Sequence, residues 1–120
     1  MKAIVLSTMV SILLFAGCVP PQTPFFWGEY SSTLYNYKKA PDDKTFAEHK
    51  RSLIVIITES PKKRLPVPPG VYAEYGYMLI VEGNEKEGLE NMDKELALYP
   101  ESRIFVETLK KAFTKKGDES

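Results

Sequence analysis

One stretch limits the possible folds more than any other: VYAEYGYMLIVEGNEKEGLENMDKELALYPES, residues 71–102. Tyr72, Tyr75, Gly76, Leu79 and Ile80 recur at spacings of three and four, which predicts a helix from Val71. Gly83 and Asn84 close it, as residues that tolerate a left-handed backbone do at a helix end. A second helix starts near Glu85, carries Leu89, Met92, Leu96 and Tyr99 on one stripe, and stops at Pro100. The next segment, ESRIFVETLKKAFTKK, puts Phe105, Leu109, Ala112 and Phe113 on a third stripe. Lys110, Lys111, Lys115 and Lys116 lie toward its C-terminal end, where the helix dipole favours cations.

The same spacing occurs upstream. In FFWGEYSSTLYNYKK, Trp27, Tyr30, Leu34 and Tyr37 echo the order of Tyr72, Tyr75 and Leu79. From Trp27 to Tyr72 is 45 residues. The partner of this helix is DDKTFAEHKRSLIVIITES, capped by Asp42 or Asp43, with Phe46, Leu53 and Ile57 as its stripe. LIVIIT is rich in β-branched residues and could form a strand; the length of the segment and the charges before it favour a helix. PVPPG, with Pro66, Pro68, Pro69 and Gly70, separates the two helical pairs. The prediction is an all-α chain of about five helices: two antiparallel hairpins and a C-terminal capping helix.

The 71–102 stretch resembles a tetratricopeptide repeat and covers 32 residues of a pattern that runs about 34. Tyr72 stands in the tryptophan place, Tyr75 in the leucine place, and Leu79 in an aromatic place. Gly76, Gly83 and Pro100 match the small residue, the turn glycine and the closing proline. Gly88 replaces an alanine and Met92 an aromatic. Glu95 departs, since alanine is usual there. Small residues matter because helices about 8–10 Å apart leave no room for large ones. A generic helical hairpin is the plainer reading. One repeat cannot bury its own face, and two plus a cap sit near the lower end of what folds alone, so a partner or self-association would add burial.

The N-terminus indicates a location. After Lys2, residues 3–17 carry no charge, a run shorter than the roughly 20 apolar residues of a membrane span. It fits the apolar region of a secretory signal peptide. LFAGC at its end resembles the lipobox of bacterial lipoproteins: Ala16, Gly17 and Cys18 match, while Phe15 stands where leucine is usual. The resemblance implies that Cys18 takes a diacylglyceryl thioether, that residues 1–17 are removed, and that the new amino terminus is acylated, commonly with palmitate. Three acyl chains anchor firmly where one holds only marginally. Val19, not aspartate, follows the cysteine, which by the enterobacterial sorting rule implies the outer membrane. An ordinary cleaved signal with a spare thiol, or an uncleaved anchor, are the alternatives. Residues 18–24, proline-rich, read as a stiff spacer. Residues 25–116 are then the helical domain and 117–120 a disordered tail.

Sequence features of known chemistries are few. With 16 basic and 16 acidic residues there is no basic excess of the kind nucleic-acid binders show. One cysteine and one histidine make neither a disulfide nor a typical zinc site. No Ser-His-Asp or Cys-His arrangement is visible, so the chain reads as a non-enzyme without cofactor, catalytic residues or metal. His49, in a charged run, is expected on the surface. Glu85, Glu87, Glu90 and Glu95 are expected to form a solvated face. EGNEKEG lacks the ending of a phosphate loop. Two surfaces remain. The aromatics Phe25, Phe26, Trp27, Tyr30, Tyr35 and Tyr37 exceed what one helix face buries, and Phe26, Trp27, Tyr30, Tyr35 and Tyr37 are candidates for a partner surface. Lys62, Lys63 and Arg64 form a basic loop that could touch anionic lipid or peptidoglycan, or simply keep the loop soluble.

Together the lipobox, WGEYSSTLYNYKK, PPGVYAEYGYML and EKELALYPES resemble a family of short bacterial lipoproteins that carries an uncharacterised domain. Members tend to be encoded beside a lipoprotein resembling the curli secretion channel and a second small lipoprotein. The resemblance implies an outer-membrane lipoprotein of a Gram-negative cell, facing the periplasm, that serves as an adaptor in an envelope assembly and binds another envelope protein, most simply a lipoprotein. A structural lipoprotein working through the basic loop is the alternative.

Overall fold

A computed structural model describes residues 24–117. Cys18, residues 1–17 expected as a signal peptide, residues 18–23 of the expected spacer, and residues 118–120 lie outside the described residues. Five α-helices follow in order, with no strand among the described residues: α1 Tyr30–Lys39, α2 Asp43–Lys62, α3 Val71–Val81, α4 Glu85–Leu98 and α5 Arg103–Gly117. Each packs on the next along the chain. The short connections 40–42 and 82–84 turn the chain back on itself, giving two hairpins and a last helix on α4.

The helix ends follow from their residues. Asp42 caps α2: its Oδ1 accepts from the Thr45 N–H at 2.7 Å, while Thr45 Oγ1 accepts from the Asp42 N–H at 3.1 Å. The Thr45 N–H, and then the Thr45 hydroxyl at 3.1 Å from the same oxygen, hold the Asp42 carboxyl below its usual range. LIVIIT lies inside α2 as helix; Leu53 and Ile56 are fully buried, whereas Ile54 and Val55 remain partly open. At the end of α3, Gly83 has φ +90°, its N–H donates to Ile80, and the Asn84 N–H reaches Leu79, which is the Schellman pattern. Pro100 opens a 3₁₀ turn, Pro100–Ser102, that leads into α5.

The end of α2 repeats the Schellman pattern without a glycine. The Arg64 N–H donates to Pro61 and the Leu65 N–H to Ser60, with Arg64 held at φ +57°. A left-handed backbone costs a side chain-bearing residue roughly 1–2 kcal/mol, partly offset by the extra freedom glycine has when unfolded. Arg64→Gly is therefore expected to stabilise the protein by about 0.5–1 kcal/mol, measurable as a higher midpoint of urea unfolding.

Two apolar clusters meet at α3. Val71 and Met78 join Leu53, Ile56 and Val67, with Trp27, Tyr30 and Phe46 against them; Ala73 joins Met92 and Val106, with Ile80, Leu89 and Phe113. A helix in this middle position is apolar all round, as VYAEYGYMLIV is. The α3–α4 contact is backbone to backbone. A Cβ on Gly76 would lie 2.5 Å from the Gly88 carbonyl oxygen, and one on Gly88 would lie 2.6 Å from that of Gly76. Among the residues matched to the repeat pattern, Gly76, Leu79, Gly88 and Met92 are buried, Tyr72 and Tyr75 half-buried, and Gly83 lies in the turn.

Three expectations need correction. The α5 stripe keeps Leu109 and Phe113, half-buried, but its third member is the fully buried Val106, while Phe105 and Ala112 are exposed. Val106, Leu109 and Phe113, spaced by three and four, share one face of the helix, and Phe105 and Ala112 fall to its sides. Glu95 is not part of a solvated face. It is fully buried, and its Oε1 accepts the Gly70 N–H at 2.7 Å, so α4 caps the start of α3, whose own N-cap is a glycine. His49 is not on the surface but in the core, 1 % exposed.

Candidate functional site: an aromatic groove over a buried polar relay

The first helix of each hairpin and α5 line one open groove. α1 and the residues before it supply Trp27 and Tyr30, α3 supplies Glu74 and Tyr77, and α5 supplies Phe105 and Leu109, around a volume of about 310 Å³. Trp27 and Tyr30 touch each other, with ring centroids 5.2 Å apart, and Tyr77 packs on Phe113 at 5.6 Å. Tyr77 and Phe105 leave 41 % and 61 % of their surface open. The helical period explains the grouping. Ala73, Glu74 and Tyr77 share one side of α3, and Phe105 and Leu109 are four apart on α5.

Beneath the groove runs a chain of polar groups. Glu74 Oε2 accepts from the Tyr30 hydroxyl at 2.8 Å, and Oε1 lies 3.0 Å from His49 Nε2. The carboxylate can only accept, which makes Nε2 the donor. On the other side of the ring, Nδ1 is 2.9 Å from Thr33 Oγ1, which is 2.9 Å from Ser52 Oγ; Ser52 donates back to the His49 carbonyl at 2.7 Å. Tyr37 stacks on the imidazole at 6.2 Å with an angle of 12°, and Tyr30 leans on it at 5.4 Å. Burial alone would raise the Glu74 carboxyl, but the hydrogen bonds from His49 and Tyr30 hold it below its usual range. Burial, and then the bond to Glu74, push the Tyr30 hydroxyl up.

A hydroxyl, an imidazole and a carboxylate in line is the order of a hydrolytic triad. Here the Thr33 hydroxyl is also 3.0 Å from the Glu29 carbonyl and 3.1 Å from the Tyr30 carbonyl, inside its own helix. A single hydroxyl proton is shared among these acceptors, so Thr33 ties α1 to α2. Its outer side borders a second hollow of about 570 Å³ that also includes Phe26, Arg51 and Ser52. Among the described residues no three acidic, histidine or cysteine side chains cluster as metal ligands.

The five aromatics proposed for a partner surface thus divide. Trp27 and Tyr30 line the groove. Phe26 borders the second hollow and lies under the Lys63 ammonium at 5.1 Å. Tyr37 is packed between His49 and Phe46, its ring 5.7 Å from that of Phe46. Tyr35 is 62 % exposed, with Lys39 over its ring at 5.8 Å. In the basic loop all three residues are exposed; Lys62 pairs with Glu59 at 2.6 Å, and Arg64 ends the helix. Tyr77 and Phe105 were missed as surface residues. A tyrosine in a central apolar helix reads as core, and Phe105 stands four residues before Leu109, as a core residue would.

A family profile for a domain of unknown function, DUF4810, matches residues 25–109. The chain belongs to this family. No curated protein and no solved structure matches it. The DUF4810 match reaches from Phe25 to Leu109, so it contains both hairpins, the polar relay and every residue that lines the groove. Within the DUF4810 domain the groove and the relay are one unit, because Tyr30 and Glu74 belong to both.

Proposed function

We propose that this chain is an outer-membrane lipoprotein, anchored through Cys18, whose DUF4810 domain is an adaptor that holds a segment of another envelope protein in the α1–α3–α5 groove. The observation that carries this reading is the groove itself. It is aromatic, open, and built on rigid helices, with Tyr77 and Phe105 exposed at its edge. Aromatic side chains on a preformed surface provide large contact area at low cost in conformational entropy. No helix among the described residues is long and apolar enough to cross a membrane; the lipobox resemblance at Cys18 supports the lipid anchor. The resemblance to lipoproteins encoded beside a curli-channel-like lipoprotein makes such a protein the first partner to test.

Cys18→Ser is expected to move the protein from the membrane fraction to the soluble periplasmic fraction, or to leave it as unprocessed precursor. Retention at full processing would sink the anchor. Cross-linking in intact envelopes followed by affinity recovery tests the adaptor: a specific stoichiometric partner is expected, and recovery of none would refute it. A second reading draws on the exposure of Lys62, Lys63 and Arg64 at the end of α2. It has the protein contact anionic lipid or peptidoglycan there, and requires that binding to purified peptidoglycan or anionic vesicles be lost when all three are neutralised.

A further inference from the structure

We infer that the segment accepted by the groove presents a lysine or arginine side chain flanked by apolar residues, with its charge held against Glu74 between aromatic faces. This rests on the adaptor reading and names the chemistry of the partner. Among the described residues that line the groove, Glu74 is the one charged side chain. It leaves 29 % of its side chain open. A carboxylate has about four acceptor positions, and two are used by His49 and Tyr30. Acceptor positions therefore remain for an incoming N–H without breaking the relay.

The walls favour the same charge. Trp27, Tyr30, Tyr77 and Phe105 all line the groove, and the faces of aromatic rings carry negative potential that attracts cations. His49, behind Glu74, is 1 % exposed and presents nothing to a ligand. Lys38 acts on Glu74 from α1 but is not among the lining residues. A volume of about 310 Å³ lies at the lower end for ligand pockets, a space for one long side chain of a passing segment. Lysine and arginine stems can lie along Pro69 and Leu109 while the charged head meets the carboxylate. An acidic side chain in the same place would meet a like charge in apolar surroundings, which gives selectivity.

The test uses the full-length protein in its own membrane, with a benzophenone amino acid in place of Phe105. After irradiation, the captured peptide is sequenced by mass spectrometry. A lysine or arginine within three residues of the attachment point is expected. The yield should fall at least fivefold in Glu74→Gln and at least threefold in Tyr77→Leu, which keeps apolar bulk and removes the ring. Glu101→Gln, an exposed acid away from the groove, should leave the yield unchanged. If Glu74→Gln fails to accumulate, Tyr77→Leu decides. Capture of a specific segment without a basic residue, or a yield indifferent to the variant that decides, overturns this inference and leaves the adaptor reading standing. Absence of any captured protein overturns both.

Discussion

Gly76→Ala is expected to lower the unfolding free energy by about 2 kcal/mol and the melting temperature by about 10 °C. In an ordinary helix the same change would stabilise, by up to about 1 kcal/mol, because alanine loses less entropy on folding. Here the new methyl would stand 2.5 Å from the Gly88 carbonyl oxygen and 3.1 Å from Met92 Cγ. The first contact is with backbone, which cannot rotate away, so α3 and α4 must separate. Separation loosens Met92, buried between Ala73 and Val106, and the cluster that seats α5. Gly88→Ala should cost a similar amount, since its methyl would meet Gly76 oxygen at 2.6 Å and Ile80 Cγ1 at 2.4 Å. The two changes relieve each other once the helices have moved, so the double variant should cost less than the sum. Thermal unfolding of the full-length protein by circular dichroism measures all three. A neutral or stabilising Gly76→Ala would refute the close approach.

That hairpin was legible because its signals are local. Glycines, apolar spacing, the Gly83–Asn84 turn and Pro100 all agree on one geometry, and agreement across levels is what specifies a fold. The helix through LIVIIT was legible for a related reason: its charged, periodic first half has no place in a buried strand. His49 and Glu95 were harder, because a charged neighbourhood suggests solvent. Their positions carry the missing signal. His49 is three residues after Phe46 and four before Leu53, and Glu95 is three after Met92 and four before Tyr99, so each lies on the apolar stripe of its helix. What no single helix could reveal is the partner that makes burial tolerable. Glu74 reaches His49 from 25 positions along the chain, and Gly70 reaches Glu95 from the same distance. The groove was least legible, since it combines residues of three helices and depends on which of Phe105 and Val106 α5 turns inward.

His49→Leu is expected to cost about 2–4 kcal/mol, although leucine is the more apolar residue. The substitution removes the donor to Glu74 Oε1 and the group that meets Thr33, and leaves a carboxylate with the Tyr30 hydroxyl as its remaining side-chain partner. It also removes a flat ring from between Tyr30 and Tyr37. The distinguishing result is the double variant. In His49→Leu with Glu74→Leu both polar partners are gone and no charge is stranded, so the pair should be more stable than His49→Leu alone. A pure packing role for His49 predicts the opposite, since Glu74→Leu would then add its own damage. The pH dependence gives an independent check. The folded Glu74 carboxyl titrates below its unfolded value of 4.5. Its contribution is therefore fully present above about pH 4.5 and is lost as the pH falls through the lower folded value. Acidification from pH 6 should destabilise the native protein more steeply below that point than it does His49→Leu, where the bond that lowers the carboxyl has been removed. Parallel stability curves for the two proteins would show that the imidazole does not hold Glu74 ionised.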